Sequence, residues 1–243
     1  VIAIGKGKNN PFDVIFTPTD LEKEAKEQKM NPYMLTSFVD GSKTMIEMAA
    51  LANYLDFDID IDGMHGPNST YDELNSIFIP KTSGGILENT NVVDFAFGVA
   101  PGVFAIVYSE DDYVNYEMEY LKMGKGPYWT LYRPYHLTSL EIPRTIMKLM
   151  VEKETQLSAK KWNVEVVAHS KKDLKAGTNL GSIGGENIYG KAMRVENSKN
   201  LAPLGIAENN IFISEVKKGE PIEIENIDIT DNQLYKYWFS QNS

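Results

Sequence analysis

The chain has 243 residues, a formal net charge of −10 at pH 7 and no cysteine. The acidic balance argues against nucleic acid and anionic membranes as partners, and the lack of thiols excludes disulfides and thiolate metal sites. The lack of cysteine also fits a cytoplasmic protein. No apolar run approaches the ~20 residues that a membrane-spanning helix needs, so we expect no membrane partner.

The chain opens on a strand-like run, Val1–Ile4, without a lead-in. Because a natural N-terminus seldom begins inside a strand, we expect a fragment of a longer protein, with part of the active site upstream. The next segment, residues 5–11, is predicted to be a loop. Its glycines would let the backbone approach an anion, and the alternative is a solvated basic turn. The candidate anion-binding side chains in this loop are Lys6, Lys8, Asn9 and Asn10.

A helix that is apolar nearly all round is the central element of the sequence. It follows a polar helix over residues 20–30 and a short strand that ends at Val39. At its start, Asp40, Lys43 and Glu47 fall on one helical face. Either Lys43 and Glu47 form an ordinary i,i+4 ion pair, or the three charges form an active-site stripe on a core helix.

Strands and helices alternate through the rest of the first part of the chain. This order predicts an α/β (or α+β) domain with a mixed sheet. The predicted elements are a strand over residues 56–61, a short helix after the capping box at Thr70, strands over 92–99 and 103–108, a helix over 111–122, a strand over 128–132 and a long helix from Leu137 to about Val151.

The character of the sequence changes near Ala159. Residues 1–159 carry the whole net charge of −10, whereas residues 160–243 are neutral overall. Short strands and Gly-rich turns follow, in two similar phrases around residues 173–177 and 218–220, and they predict a compact all-β module. We therefore predict two domains, residues 1–158 and residues 159–243.

A second basic segment runs from Tyr120 to His136 and is rich in aromatics. Arg133 can bind a phosphate or carboxylate through two hydrogen bonds, and lysines and glycines precede it. In an acidic chain, several such basic loops predict one focused site for a small anionic substrate. The alternative places the aromatics in the core and Lys125 on the surface. From this segment we take Lys122, Tyr128, Arg133 and His136 as candidates.

His65 lies in a turn-rich loop, residues 63–67, and is a further candidate for the site. Asp58, Asp60 and Asp62 precede it at alternate positions. They lack the glycine and the closing glutamate of a calcium-binding loop, so we predict no metal site.

Five ordered motifs together resemble one family, the homoserine-dehydrogenase-like oxidoreductases with a C-terminal SAF domain. This family includes the enzymes that are similar to deoxyxylulose-phosphate reductoisomerase (DXR-like). The resemblance covers nearly all 243 residues. The motifs are Gly5–Pro11, Phe38–Met48, Gly63–Pro67, Gly98–Phe104 and Tyr120–His136.

The resemblance implies an N-terminal Rossmann domain that binds NAD(P), then a catalytic domain, then a SAF (β-clip) domain. No nucleotide-binding fingerprint is present here, and Val1–Gly5 resembles the last strand leaving that Rossmann domain. The chain would then hold the substrate site, with NAD(P) bound mainly elsewhere, and would be inactive alone. Residues 159–243 resemble the SAF domain.

The resemblance also implies an NAD(P)-dependent oxidoreductase acting on a small hydroxy or keto substrate that bears a phosphate or carboxylate. A paired Asp and Lys assist proton transfer in homoserine dehydrogenases, and Asp40 and Lys43 resemble that pair in type but not in spacing. We predict Lys43 as the general acid/base, oriented by Asp40 and Glu47. The alternatives are a SAF-type module that binds a sugar or sugar acid, and a non-catalytic interaction protein. A homo-oligomer is compatible with each.

Overall fold

The computed structural model describes residues 1–136, 139–155, 157–229 and 233–242. In these ranges no helix is both long and apolar enough to cross a bilayer. The chain divides into two compact units that are discontinuous in sequence. The first comprises Val1–Asn9 and Met48–Val164, and the second comprises Asn10–Glu47 and Glu165–Ser243.

The regular elements are short and alternate along the chain. The strands are β1 (Ala3–Lys8), β2 (Asp58–Ile59), β3 (Val92–Phe97), β4 (Val103–Tyr108), β5 (Tyr128–Arg133), β6 (Val164–Ser170), β7 (Thr178–Asn179), β8 (Ile188–Arg194), β9 (Ile211–Phe212) and β10 (Ile227–Asp228). The helices are α1 (Glu22–Glu27), α2 (Pro32–Val39), α3 (Ser42–Leu55), α4 (Leu74–Ile77), α5 (Asp112–Tyr120), α6 (Ile142–Met147), α7 (Leu204–Ala207) and α8 (Gln233–Asn242). Single 3₁₀ turns cover Tyr71–Glu73, Lys81–Ser83, Val195–Asn197 and Ile224–Asn226, and a π-helical turn covers Lys148–Glu152.

The first unit is built on a five-stranded sheet in the order β2-β3-β1-β4-β5. The central strand β1 pairs in parallel with β3 and antiparallel with β4, so the predicted mixed sheet in an α/β fold is confirmed. Apolar side chains from these strands pack with the segment around α4 into one core, in which Phe78 and Phe104 lie 5.0 Å apart between ring centroids. Trp129 is fully buried and donates its indole N–H to Asn115 Oδ1 at 2.9 Å.

The predicted loop over residues 5–11 is wrong in its first half, because Gly5–Lys8 complete strand β1. The Gly7 N–H donates to Gly102 O at 2.8 Å, so it belongs to the sheet and cannot form an anion-binding turn. A Cβ on Gly5 would lie 2.3 Å from the Phe104 ring, and one on Gly7 would lie 2.2 Å from the Ala100 nitrogen. These glycines therefore permit close packing around the sheet.

The predicted strand ending at Val39 is also wrong, since this segment forms α2. Asn31 caps the helix by accepting the Tyr33 N–H at 2.8 Å, and Pro32 occupies the first helical position. The predicted helix over residues 20–30 shortens to α1, and the strand over residues 56–61 shortens to β2. The long helix predicted from Leu137 appears as α6 and the π-helical turn; Leu137 itself lies outside the described residues.

The second unit carries two small sheets, one of β10-β9-β7 and one of β6-β8. Residues 10–47 belong to the same unit and contribute a cluster of buried apolar side chains, Leu21, Ala25, Leu35 and Val39. The short strands predicted for the tail are present. The assignment of residues 159–243 to a separate SAF domain, with a boundary at residues 158/159, stays a prediction.

Candidate functional site

In the first unit, His65 lies between two fully buried carboxylates. Asp94 belongs to β3 and Asp60 follows β2, its parallel neighbour. The His65 Nδ1 donates to Asp94 Oδ2 at 2.8 Å, while its Nε2 lies 3.5 Å from Asp60 Oδ2. The side chain of His65 is 18% exposed. The loop after β2 thus anchors an imidazole that stays partly exposed.

This arrangement raises the pKa of His65 above its ordinary value. The hydrogen bond to Asp94 is the largest cause, burial opposes it, and the negative charges of Asp94 and Asp60 add to the increase. The imidazole is therefore protonated over a wider pH range than a free histidine, which suits a general acid at neutral pH.

Backbone donors hold both carboxylates in place. Asp94 accepts the N–H groups of Gly66 at 3.1 Å and Phe95 at 2.8 Å, in addition to that of His65. Asp60 accepts the N–H groups of Glu88 and Asn89, each at 2.9 Å. Hydrogen bonds of this kind orient both carboxylates toward the imidazole, and we call this arrangement of Asp60, His65 and Asp94 the clamp.

The four candidates from the basic segment lie in the first unit, and their described contacts differ. Tyr128 exchanges a hydrogen bond with Ser83 at 2.9 Å, and Arg133 forms an ion pair with Glu141 at 2.6 Å. The His136 Nδ1 lies 2.6 Å from Pro101 O. Lys122 lines a cavity of about 390 Å³ in which Tyr128, Arg133 and His136 take no part.

In the second unit, Asp40 is fully buried and paired with Lys171, which is not among the predicted site residues. Its Oδ2 lies 2.8 Å from Lys171 Nζ, and both side chains are essentially inaccessible. Lys171 also donates to Phe16 O at 2.7 Å and Gly185 O at 2.8 Å. Burial lowers the pKa of Lys171, and the charge of Asp40 opposes this. With three acceptors around one ammonium, Lys171 cross-links three segments of the unit.

Lys43 and Glu47 form an i,i+4 ion pair at 3.9 Å, with both side chains more than one third exposed. The Lys43 ammonium also lies 4.4 Å from the centre of the Phe38 ring. Lys43 lines a shallow cavity of about 440 Å³ together with Ser37 and Ile183. Asp40 pairs with Lys171, and the active-site role of Asp40, Lys43 and Glu47 stays a prediction.

Lys6 and Lys8 project from the same side of β1, because they are two residues apart in a strand. They pair in register with Phe95 and Phe97 of β3, and Lys8 is 5% exposed. The predicted site residues fall in both units. The first unit contains Lys6, Lys8, Asn9, His65, Lys122, Tyr128, Arg133 and His136, and the second contains Asn10, Asp40, Lys43 and Glu47.

Asp94 and Lys171 are the important residues that the sequence reading missed. Asp94 is the one charge inside the buried run Val92–Phe97, and an isolated carboxylate in a buried strand is a readable signal. Lys171 directly precedes Lys172, and nothing in the pattern distinguishes the buried lysine from the exposed one. Across the described ranges, no group of three or more His, Asp or Glu side chains is placed to hold a metal ion.

Comparison with known families identifies the class to which these features belong. The family described as "Oxidoreductase DRL, catalytic domain" matches residues 1–142, which is more than half of the chain. The chain therefore belongs to this family and carries an oxidoreductase catalytic domain. The matched region includes Asp40, Lys43, His65 and Asp94. No curated protein matches the chain.

Proposed function

We propose that the protein is an NAD(P)-dependent oxidoreductase that interconverts a hydroxyl and a carbonyl group on a small anionic substrate. Membership of the oxidoreductase family supports the class of reaction. The observation that carries the proposal is the His65 imidazole, which is partly exposed in the loop after β2, is hydrogen-bonded to Asp94 of β3 and has its pKa raised by that contact. In sheets with parallel strands, ligands bind preferentially at the carboxyl ends of the strands.

The described residues do not fit the pyrophosphate of a dinucleotide. That group needs a glycine-rich turn with free N–H groups between a strand and a helix. The glycine- and lysine-rich segment here lies in β1, where the Gly7 N–H is bonded to Gly102 O. We therefore expect this chain alone to bind NADPH too weakly to turn over, which a fluorescence titration of NADPH measures. Saturable binding by residues 1–243 would contradict this expectation.

His65 has the geometry of a proton donor to a carbonyl oxygen. Reduction of a carbonyl to an alcohol requires a proton at that oxygen, and a positioned imidazolium supplies one. Asp94 fixes the ring through Nδ1, which makes Asp94 a positioning residue. At 3.5 Å the Nε2 is beyond the usual hydrogen-bond distance to Asp60, so we take the proton on Nε2 as the one that a substrate would receive.

Lys43 is the alternative donor, because its ammonium lines a cavity of the second unit. The two donors predict different pH profiles. If His65 donates, kcat/KM for reduction falls as the pH rises through its raised pKa. Activity that stays level through this range and is lost in Lys43→Met would assign the role to Lys43.

The test measures NADPH oxidation by the natural full-length protein against a panel of keto acids and phosphorylated keto sugars. We expect His65→Gln to lower kcat by about 100-fold or more with a small change in KM, since loss of a general acid commonly has this effect. Lys161→Met, an exposed lysine outside both cavities, is the matched control. A His65→Gln enzyme with the wild-type kcat would rule out His65 as the donor.

A further inference from the structure

A loop of the first unit, residues 80–89, holds Asp60 in the clamp. The Glu88 N–H donates to Asp60 Oδ2 at 2.9 Å, and the Asn89 N–H donates to Asp60 Oδ1, also at 2.9 Å. The side-chain amide of Asn89 adds a third hydrogen bond to this carboxylate, at 3.0 Å. Asp60 Oδ2 is also the oxygen that lies 3.5 Å from His65 Nε2. One carboxylate oxygen therefore lies between the backbone of this loop and the imidazole.

An ion pair joins the two ends of this loop. The Lys81 N–H donates to Leu87 O at 2.8 Å, and the ammonium of Lys81 pairs with the carboxylate of Glu88. Both charged side chains are more than half exposed. Exposed ion pairs usually contribute little to stability, so closing the loop does not by itself explain a charge at this position. The pair does hold the ammonium beside the residue whose N–H binds Asp60.

The charge of Lys81 opposes the carboxylates that surround His65. The hydrogen bond to Asp94 is the largest cause of the raised pKa of His65, and the negative charges of Asp94 and Asp60 add to it. Burial and the positive charge of Lys81 lower this pKa. Among the described residues, the charged groups that act on the imidazole are thus Asp94 of β3, Asp60 after β2 and Lys81 of the loop. Lys81 stays charged while His65 titrates, because its hydrogen bond to Glu88 raises its own pKa.

A proton donor benefits from such an opposing charge. A general acid works best when its pKa lies near the pH at which the enzyme operates. Two carboxylates next to one imidazole hold its proton more tightly than this, because negative charge stabilises the imidazolium. A nearby ammonium offsets part of their effect across several ångströms, without a direct contact.

We propose that Lys81 is a positioning residue of the candidate site: Glu88 holds its ammonium beside the clamp, where the positive charge keeps the imidazole proton of His65 transferable. Lys81 acts through the imidazole and does not need to touch the substrate. Glu88 is then the tether that fixes the position of the ammonium. The alternative is that Lys81 and Glu88 serve only to close the loop.

The titration of His65 in residues 1–243 tests the proposal without any substrate. The chain has three histidines, and the variant His65→Gln assigns the His65 resonance in proton NMR spectra. At low salt we expect Lys81→Met to raise the pKa of His65 by about 0.3 pH units or more, which is the effect that a unit charge exerts across several ångströms of water. Concentrated salt should reduce this difference, because it screens exposed charges.

Lys161→Met is the matched control, because Lys161 is an exposed lysine of the same unit that pairs with Asp56 and is not among the charges that act on His65. It should leave the titration of His65 unchanged. Lys81→Arg keeps the positive charge and should titrate as the wild type does. An unchanged pKa of His65 in Lys81→Met would overturn the proposal. An equal rise in Lys81→Met and Lys81→Arg would also overturn it, since that result would trace the effect to a disturbed loop.

The inference rests on the proposed function only in giving this proton a substrate. In the natural full-length protein, the pH at which kcat/KM for reduction falls should move upward in Lys81→Met, in step with the NMR titration. If the titration moved and the activity profile did not, the electrostatic role of Lys81 would stand and His65 would be removed as the donor. If the titration did not move, this inference would fail and the proposed function would remain.

Discussion

At the scale of single residues, the clamp around His65 predicts a pH dependence of stability. Because the folded state raises the pKa of His65, it holds the proton more tightly than the unfolded chain does. The resulting stabilisation is fully present below the ordinary pKa of 6.5 and is lost as the pH rises through the raised value. We expect the stability difference between wild type and His65→Gln to be larger at about pH 5.5 than at about pH 9.

Urea denaturation at the two pH values measures this difference as a free energy of unfolding. Asp94→Asn is the companion variant, because it removes the main cause of the shift while keeping the size of the side chain. It should flatten the same pH dependence. A difference between wild type and His65→Gln that is identical at both pH values would exclude the clamp as the source.

The buried pair of Asp40 and Lys171 predicts a strong energetic coupling between two segments of the second unit that are distant in sequence. Lys171→Met leaves the Asp40 carboxylate buried without its cation, which typically costs about 3–5 kcal/mol of unfolding free energy. The double variant Asp40→Asn with Lys171→Met removes both charges and should recover much of that loss.

The coupling is measured by a double-mutant cycle in chemical denaturation. The exposed pair of Lys217 and Asp173, 3.1 Å apart, provides the comparison, and its disruption should change stability little. A double variant of the buried pair that is as unstable as the sum of its two single variants would show that the charges do not interact.

Residue types near the site could be read from the sequence, and so could a pairing within one helix, but pairings between distant segments could not. Lys43 and Glu47 are neighbours on one helix, so helical spacing alone indicated their ion pair. The partner of Asp40 lies in the tail, and only the fold brings Lys171 to it. His65 was a candidate from its glycine-rich turn, whereas the clamp around it depends on the parallel pairing of β2 and β3.

At the scale of elements, the close contacts around strand β1 lead us to predict that its glycines are required for packing. An alanine Cβ at Gly7 would lie 2.2 Å from the backbone nitrogen of Ala100, where neither atom can move without shifting a chain segment. We expect Gly7→Ala to lower the unfolding free energy by about 1–3 kcal/mol or more, because overpacking of this kind strains the backbone.

Gly205→Ala is the matched control. Gly205 is exposed on α7, and a Cβ there would have its nearest neighbour at 3.9 Å. Since alanine favours helix more than glycine, this variant should keep or raise stability by up to about 1 kcal/mol. Thermal or urea unfolding compares the two. If Gly7→Ala were as stable as wild type, the close approach of the segment around Ala100 would be disproved.

The errors among the predicted elements have identifiable physical causes. The pattern predicts a loop at Gly5 and Gly7 because glycine usually weakens strands, whereas the crowding that favours glycine here is a tertiary effect. Helix α2 carried its own signal, an Asn cap followed by a first-turn proline, which the apolar run ending at Val39 concealed. The capping aspartate of α5, Asp111, was visible, and that helix was predicted within a few residues of its observed bounds.

At the scale of the whole molecule, the chain passes between its two compact units more than once. Residues 10–47 leave the first unit after β1 and join the tail to form the second, and the chain then returns at residue 48. The change of charge near residue 159 could not indicate these discontinuous units, because composition shows where the sequence changes but not which segments contact each other. The class of the fold was predictable, whereas the membership of each unit was not.

This arrangement predicts how the tail behaves when it is separated from the rest. Residues 159–243 alone would lose Asp40 and Phe16 O as partners of Lys171, and Ser42 Oγ as the acceptor of the Gly190 N–H at 2.8 Å. A buried ammonium without its carboxylate costs about 3–5 kcal/mol, comparable with the entire stability of many small domains.

We therefore expect the isolated tail to lack a cooperative melting transition in circular dichroism, while residues 1–243 show one. A chain in which residues 10–47 are joined by a flexible Gly/Ser linker to residues 165–243 restores these partners and should regain the transition. If residues 159–243 melted cooperatively near the temperature of the intact chain, the tail would be an independent domain with its boundary near residue 158, and the buried pair would not be needed for its fold.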